Sequence, residues 1–310
     1  MGISDNLVNY MTKVKTHLSP LLCQIRRQAH YLRLKYGTDT SAKILAGRCG
    51  FFGNLFITIN GIRLCELAGV SPQPYWDETS LYYNRKHGQN VWEYYFNPIP
   101  HLDLTSKERH STRFAFKPDA LPLAPLYPGA NRRESYHQCI QKYVSLNEGL
   151  KSGIEKFKTE YFDKKNILGV YARFTDTTLG FENRLAPTVS EYIEVIDKHL
   201  VHSPVDRIFI ATDSESHLQK FIQRYGTKVI YQDCLRSQNN NSIHGHYDNG
   251  VPGCPFQKGI EVIKDAYLLA ATSHLICVYS MVPTYSLCIN KSLSFTPLSN
   301  DHGLFNTRLQ

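Results

Sequence analysis

The sequence lacks the features that assign many chains to a class at once. No apolar run approaches the roughly 20 residues that cross a membrane, and residues 1–6 lack the basic start of a secretory signal. The 8 cysteines are scattered without a Cys-x-x-Cys pair. This argues against a structural zinc site and for free thiols in a reducing compartment. We therefore expect a cytoplasmic protein.

What is present is the composition of a folded chain. The 310 residues are 42% hydrophobic and 20% charged, which is enough for two medium domains with sizeable cores. The formal net charge of +8 favours anionic ligands or an acidic membrane surface. It does not choose between nucleotide, nucleic acid and lipid.

Two helices are predicted before the first strand. Apolar residues recur at helical spacing over residues 3–19, and Pro20 separates them from a second helical stretch over about 21–34. The second stretch is basic and amphipathic, which suits a peripheral contact with an anionic membrane. The other interpretation is an ordinary solvated face.

The next segment predicts a first strand over 43–46, a glycine-rich turn over 47–54 and a helix to about Leu67. A helix N-terminus of this kind can face an anion, or the glycines serve the turn alone. The turn is neither a G-x-G-x-x-G fingerprint nor a P-loop. A strand is predicted over 70–76, and Pro72 and Pro74 within it indicate an edge strand or an irregular segment. The aromatic cluster over 91–96 suits either sugar stacking or core packing, and residues 100–135 resemble a loop.

The second half alternates strand and helix more cleanly. Strands are predicted over 167–173, 207–213, 228–233 and 275–280, and a last one near 293–297. Strict alternation predicts a parallel sheet with right-handed crossovers. We therefore expect residues 167–310 to form one Rossmann-like α/β domain, with the charged segment 155–165 as the hinge that joins it to a first domain over 1–166.

Polar side chains fall where four of these strands end. They are Arg173 with Asp176, Thr212 with Asp213, Asp233, and Ser280. In a parallel sheet these ends lie along one edge, where open α/β sheets bind ligands. Arginine there suits phosphate because its planar fork holds two oxygens. The alternative is a surface salt bridge between Arg173 and Asp176.

Three short motifs occur in order along the second half. They are Tyr171-Ala-Arg173-Phe-Thr175-Asp176, then Ala211-Thr212-Asp213-Ser214, then Lys258-Gly259 through Asp265 followed by Cys277-Val-Tyr279-Ser280. Their pattern resembles the GDP-fucose-dependent fucosyltransferases, a group with the rhizobial nodulation enzyme, core α1,6-fucosyltransferase and protein O-fucosyltransferases. The Gly53-Asn54 turn also resembles the first helix start of this family. The resemblance covers about 167–298 well and the first half loosely.

The resemblance implies a GT-B fold, in which two Rossmann-like domains face a cleft and the second holds the nucleotide sugar. It implies an inverting fucosyltransferase in glycan biosynthesis that takes GDP-fucose or a related nucleotide sugar and an oligosaccharide or glycoconjugate acceptor. It also implies that the reaction requires no metal or other cofactor. The donor-binding residues implied are Gly53, Asn54, Tyr171, Arg173, Thr175, Thr212, Asp213, Ser214, Asp265, Tyr279 and Ser280.

The chemistry of sugar transfer assigns roles to some of these residues. Arg173, with Ser280 and the N–H groups that follow it, would balance charge on the leaving diphosphate. Glu182 or Asp176 would take the proton of the acceptor hydroxyl, and Glu182 matches the family's catalytic glutamate if one inserted residue is allowed. Asp213 would accept hydrogen bonds from guanine or ribose, or would cap the next helix.

The chain also departs from the family pattern. Tyr171 stands at the family's histidine, Phe174 at its second arginine, Thr177 at a lysine and Met281 at a second serine. These departures leave the expected fold intact. They keep open a different nucleotide sugar as the donor.

Two other classes compete with this interpretation. A metal-dependent GT-A enzyme would need an Asp-x-Asp site, which Asp213-Ser-Glu215 matches only superficially, and His244, His246 and Asp248 form a loop His-x-His pattern that is more often not a metal site. A basic RNA-binding protein would use tyrosines and arginines. The positive charge is dispersed and no RNA-binding motif is evident, so we expect no nucleic-acid partner.

Overall fold

A computed structural model describes most of the chain between residues 28 and 298. The described residues are 28–37, 40–45, 47, 49–99, 114–116, 129–175, 187–238, 255–278 and 280–298. Among them, every pairing between strands is parallel, and the strands form two separate sheets. This is the α/β architecture with two parallel sheets that the sequence predicts.

The first half contains a three-stranded sheet in the order β2-β1-β3. Its elements are α1 (residues 28–36), β1 (Ser41–Leu45), α2 (Phe51–Ala68), β2 (Ser71–Tyr75), β3 (Phe114–Phe116), α3 (Ala130–Tyr143) and α4 (Glu148–Tyr161), with short 3-10 helices at Arg85–His87 and Val91–Tyr94. Helix α2 is buried around most of its circumference, which requires an apolar sequence on all sides. It ends at Gly69, whose left-handed φ of 69° lets its N–H reach the last carbonyls.

The second half contains a five-stranded sheet in the order β6-β5-β4-β7-β8. Its elements are β4 (Ile167–Ala172), α5 (Val189–His202), β5 (Arg207–Thr212), α6 (Glu215–Tyr225), β6 (Val229–Ile230), α7 (Pro255–Ala270), β7 (His274–Val278), α8 (Met281–Ile289) and β8 (Ser294–Leu298). The central strand β4 is buried at all six positions, as expected for a parallel strand covered on both faces. A capping box between Thr188 and Glu191 fixes the start of α5.

The two halves pack directly against each other. The Phe52 and Tyr285 rings lie 4.7 Å apart between α2 and α8, and Arg133 of α3 donates to the Leu293 carbonyl at 3.1 Å. Helix α4 also packs on the second sheet, where the Phe157 ring lies 5.8 Å from that of Phe209. Packing onto the second sheet therefore begins before residue 167, and the domain boundary after 166 stays a prediction.

Three local predictions are wrong. The segment 100–135 is not only loop, because it contains β3 and the first turns of α3, whose buried face is made of residues such as Tyr136 and Cys139 that a hydropathy pattern underrates. The hinge predicted over 155–165 is helical up to Tyr161, because α4 carries buried Leu150 and Ile154 beneath its charges. The strand predicted over 228–233 shortens to β6, since only two of its residues pair with β5.

The membrane prediction concerns residues 21–34, of which 21–27 lie outside the described residues. Within α1, Leu32 is 43% exposed and Tyr36 just beyond it in the same helix is 75% exposed. No helix in the described part of the chain is both long and apolar enough to span a bilayer. Peripheral contact with an anionic membrane stays a prediction, as does the cytoplasmic location.

Candidate active site

The register of the second sheet aligns the strand ends that the sequence singled out. Ala172 at the end of β4 lies opposite Thr212 at the end of β5, and Tyr171 lies opposite Cys277 of β7. The chain leaves β4 towards β5 and β6 and later returns to the other side of β4 with β7. This reversal makes the carboxyl ends of β4 and β7 the topological switch point, where open α/β sheets bind ligands.

A pocket lies at this edge, and the first half of the chain borders it. Strand ends, one loop and one helix of the second half supply most of its wall, and the first half supplies one aromatic side chain. The lining residues are Tyr82, Tyr171, Ala172, Arg173, Thr212, Asp213, Cys234, Leu235, Lys258, Glu261, Val262 and Asp265. The described residues thus bring five of the predicted donor-binding side chains to one cleft: Tyr171, Arg173, Thr212, Asp213 and Asp265.

Arg173 is the cation that follows the central strand. It is half-buried, and its charge acts on the Tyr82 hydroxyl across the pocket. Burial raises the pKa of Tyr82 to about 12, so this hydroxyl keeps its proton at neutral pH. The Tyr82 oxygen accepts the Phe51 N–H at 3.0 Å and thereby ties the pocket to the start of α2.

Asp213 holds the loop that carries Arg173. One carboxylate oxygen accepts the Phe174 N–H at 2.9 Å, and the other accepts the Thr175 hydroxyl at 2.7 Å and its N–H at 3.3 Å. Both oxygens therefore have partners within the chain. The geometry gives Asp213 a bracing role, and it does not cap α6, whose N-cap is Ser214. Thr175 is itself buried.

Asp265 is the buried carboxyl of the pocket. Burial raises its pKa to about 7, while the hydrogen bond from Gln232 and the charge of Arg236 oppose the rise. Gln232 donates to both the Asp265 carboxylate and the Glu261 carbonyl, the latter at 2.9 Å. Since a carboxyl with a pKa near 7 is partly ionised under physiological conditions, Asp265 can act as an acceptor for N–H groups of a ligand.

Ser280 lies beside the pocket rather than in its lining. Its hydroxyl donates to the Tyr171 hydroxyl at 3.3 Å, and it is the N-cap residue of α8. The first N–H groups of α8 therefore lie at the switch point, next to the end of β4. A helix N-terminus at this place favours an anionic ligand.

Three other predicted residues do not reach the pocket. Ser214 is fully buried, and its hydroxyl contacts Ser216 and His217. Asn54 is fully buried, and its side-chain oxygen accepts the Gly47 N–H at 2.8 Å. Gly53 packs closely against Cys49, whose sulfur would lie 3.0 Å from an added Cβ. Gly53 and Asn54 thus shape the glycine-rich turn, and their role in donor binding stays a prediction.

Several predicted residues lie outside the described part of the chain. They are Asp176, Glu182 and Tyr279, together with His244, His246 and Asp248. The assignment of the catalytic base therefore stays a prediction. Among the described residues, no three His, Cys, Asp or Glu side chains come together as a potential metal site.

Sequence reasoning missed Tyr82, Gln232 and Glu261. Glu261 precedes Asp265 by four residues on α7, so helical spacing could have placed both on one face. Tyr82 follows β2, and a search for polar groups after strands of the first sheet could have included it. No sequence pattern pointed to Gln232, because its hydrogen bonds to residues of α7 depend on the path that the chain takes after β6.

The comparisons with known proteins support the fold. No protein-family model matches the sequence, and no curated protein sequence matches it. The structure of NodZ α-1,6-fucosyltransferase soaked with GDP-fucose aligns with a TM-score of 0.54 at 14% identity, over 80% of this chain and 92% of that one. Selenomethionine NodZ from Bradyrhizobium aligns with a TM-score of 0.53 at 14% identity, over 84% and 95%.

A plant enzyme gives the same result. A mutant of Arabidopsis thaliana FUT1 in complex with GDP aligns with a TM-score of 0.50 at 9% identity, over 87% of this chain and 73% of that one. Identities this low establish the fold alone. The chain is therefore similar in fold to the fucosyltransferases that the sequence motifs resemble, and its fold is the GT-B arrangement of two parallel sheets facing a cleft.

Proposed function

We propose that this protein is an inverting glycosyltransferase that transfers L-fucose from GDP-fucose to an oligosaccharide or glycoconjugate acceptor. The observation that carries the proposal is the position of Arg173. It follows the central strand at the switch point and lines a pocket with the buried carboxyl of Asp265. A nucleoside diphosphate presents complementary groups at both places.

The diphosphate would bind between Arg173 and the N-terminus of α8. As the sugar leaves, negative charge grows on the terminal phosphate, and a fixed guanidinium stabilises that charge without a metal ion. Asp213 keeps the loop of Arg173 in place through its bonds to residues 174 and 175. Metal independence is therefore part of the proposal.

The base would bind on the α7 side, where Asp265 lies. Guanine presents its N1–H and exocyclic amino group as neighbouring donors, and an ionised carboxylate accepts from both. Adenine presents an acceptor at N1 and would face the carboxylate unfavourably. This complementarity supports a guanine nucleotide as the donor.

The transfer itself would be one in-line displacement. The sugar of GDP-fucose is β-linked, so attack by the acceptor hydroxyl from the opposite face gives an α-linked product. Glu182 is the proposed base for that hydroxyl, with Asp176 as the second candidate. Both follow Arg173 in the segment that leads to α5.

A second candidate is transfer from a different GDP-sugar. It is favoured by two departures from the family pattern at the end of β4, Tyr171 and Phe174. The Phe174 ring stacks on His217 at 3.8 Å, so it belongs to the core, and Tyr171 presents a phenol where the family has an imidazole. In this candidate Asp265 would still recognise guanine, and only the sugar of the donor would differ.

The test is a comparison of nucleotide sugars by isothermal titration and thermal unfolding, with EDTA present. A ligand that binds only the folded chain raises the melting temperature. We expect GDP and GDP-fucose to bind and ADP, UDP-sugars and RNA to bind at least tenfold more weakly. Loss of GDP binding in EDTA would exclude the metal-independent mechanism, and preference for another GDP-sugar would select the second candidate.

A further inference from the structure

Helix α7 carries one wall of the pocket, and residues of the first half hold its N-terminus. Lys258, Glu261, Val262 and Asp265 line the pocket at helical spacing. The helix begins with Pro255 and Phe256. Any rotation or shift of this first turn would therefore move the pocket wall.

Phe256 packs against three aromatic rings of the first half. The His87 ring stacks on it at 3.8 Å between centroids with an interplanar angle of 18°. The Tyr95 ring is also stacked at 5.7 Å, and the Tyr94 ring meets it edge-on at 5.9 Å. We call His87, Tyr94 and Tyr95 the aromatic clamp.

Tyr95 also contacts the backbone of α7. It is fully buried, and its hydroxyl donates to the Phe256 carbonyl at 3.1 Å. A Cβ added to Gly259 would lie 2.1 Å from the Tyr95 oxygen and 2.3 Å from the ring carbon that bears it. Position 259 therefore accommodates only glycine while Tyr95 keeps its place.

Tyr95 has little freedom to move aside. The Asn147 N–H donates to the Tyr95 carbonyl at 3.0 Å, and the Asn147 amide donates to the Tyr94 carbonyl at 2.8 Å. Asn147 is also the N-cap of α4, and Gly153 of that helix packs against Lys264 of α7. The clamp therefore contacts α7 in two ways: directly through Tyr95, and indirectly through Asn147 and α4.

We propose that Tyr95 is a positioning residue for nucleotide binding: it sets the place of α7, and with it the base side of the pocket, without lining the pocket itself. The proposal rests on the proposed function, since it assumes that a guanine nucleotide binds against α7. It predicts that the first half controls nucleotide affinity through a contact with no ligand atom.

The test measures binding of GDP and of inorganic pyrophosphate to the full chain by isothermal titration, for Gly259→Ala, Tyr95→Leu and the double variant. Gly259→Ala forces α7 away from Tyr95 and should raise the Kd for GDP at least tenfold. The Kd for pyrophosphate, which needs the Arg173 side only, should change less than twofold. In the double variant, leucine leaves room for the new methyl group, so GDP affinity should return to that of Tyr95→Leu alone.

Tyr94→Phe is the matched control. It removes a hydroxyl that bonds within the first half, to the Asn84 and Gly88 carbonyls, and it keeps the ring on Phe256. We expect GDP affinity to change less than twofold. If the wild-type chain binds pyrophosphate and GDP but Gly259→Ala leaves the GDP Kd unchanged, the positioning proposal is overturned and the proposed function stands.

Two further outcomes would also overturn it. An equal loss of GDP and pyrophosphate binding in Gly259→Ala, with no recovery in the double variant, would show general misfolding instead of positioning. A wild-type chain that does not bind GDP at all would remove both the proposed function and this inference.

Discussion

Both sheets of this protein are parallel, but different side chains lie at the carboxyl ends of their strands. In the second sheet, the carboxyl ends of the strands carry an arginine, a threonine and an aspartate into the pocket. In the first sheet, aromatic rings fill the corresponding region: Phe51 packs edge-on against Trp76, Tyr82 and Tyr95 at 5.1–5.3 Å. The second half therefore places charged and polar side chains in the pocket, and the first half contributes mainly packed aromatic rings.

This difference follows from burial. Helix α2 of the first half is covered on nearly all sides, so polar groups at its start must be bonded within the chain, as Asn54 is. Helices α5 and α6 of the second half are amphipathic, with fewer buried positions. Their sheet can leave its charged edge open to solvent and to a ligand. The predictions below test this division of roles.

The largest expected effect is that of Arg173→Ala. In the proposed mechanism Arg173 contacts a developing anion, and removing this charge-assisted contact should lower fucosyl transfer by roughly a thousandfold, or about 4 kcal/mol. The fold should persist, because Arg173 is half-buried at the end of its strand. Transfer rates together with circular dichroism check both statements.

Two companion variants sharpen this result. Arg173→Lys should recover only part of the activity, because a point charge cannot replace a planar fork. Arg224→Ala removes an arginine paired with Asp197 at 2.7 Å on the surface of the second half and should leave transfer unchanged. Full activity in Arg173→Lys would place the phosphate elsewhere.

Glu182→Gln should have the next largest effect. It keeps the side-chain shape but removes its basicity, so turnover should fall roughly a hundredfold while GDP affinity stays the same. Single-turnover rates and titration with GDP measure the two quantities. The paired variant is Asp176→Asn: if it alone loses turnover, Asp176 is the base, and if neither does, the first half supplies it.

Asp265→Asn should separate ligand binding from stability. In the folded chain the pKa of Asp265 is about 7, raised by burial from an ordinary value near 4. The folded state therefore holds this proton where the unfolded state releases it, so this group makes stability fall as the pH rises from about 4 to 7. Asparagine removes that cost, and the variant should unfold at a higher temperature than wild type at pH 8.

The Asp265→Asn variant should bind GDP more weakly than wild type, although it is more stable. In the proposed complex only the ionised carboxylate can accept from both guanine donors, so wild-type affinity should rise as the pH passes through 7. In Asp265→Asn the affinity should fall roughly tenfold or more at pH 8 and lose this pH dependence. Asp233→Asn alters an exposed carboxylate nearby and is the control. A wild-type affinity that is flat between pH 6 and 8 would contradict the role of Asp265.

Part of this site could be predicted from sequence because parallel sheets align their strand ends. Thr212 ends a β-strand with a clear apolar run, and Arg173 and Asp213 directly follow such strands, so their meeting required only the rule for the edge of a parallel sheet. Their partners could not be predicted in the same way. That Asp213 braces residues 174 and 175 depends on the exact course of the loop.

The first half was predicted less well for a related reason. Its third strand has three residues and pairs with β1 across a long stretch of chain, and such long-range pairing leaves no periodic pattern. The burial of α4 was obscured by its many charges. Tyr82 was missed because it follows an edge strand interrupted by two prolines, where no run of apolar residues marks the strand end.

Tyr82→Phe should have the smallest effect on transfer and tests whether the first half contributes more than shape. The change keeps the ring beside Phe51 but removes the oxygen that accepts the Phe51 N–H. A buried donor left without its acceptor costs about 1–3 kcal/mol of stability, so the melting temperature should fall by several degrees. Transfer per folded molecule should fall less than tenfold, and its pH profile should not move, because a hydroxyl with a pKa of about 12 does not titrate near neutrality.

Tyr94→Phe, measured alongside, removes a hydroxyl outside the pocket and should lower stability without lowering transfer. A loss of transfer in Tyr82→Phe as large as that in Arg173→Ala would show that the first half supplies a chemical group as important as the arginine, and the division of roles between the two sheets would be wrong.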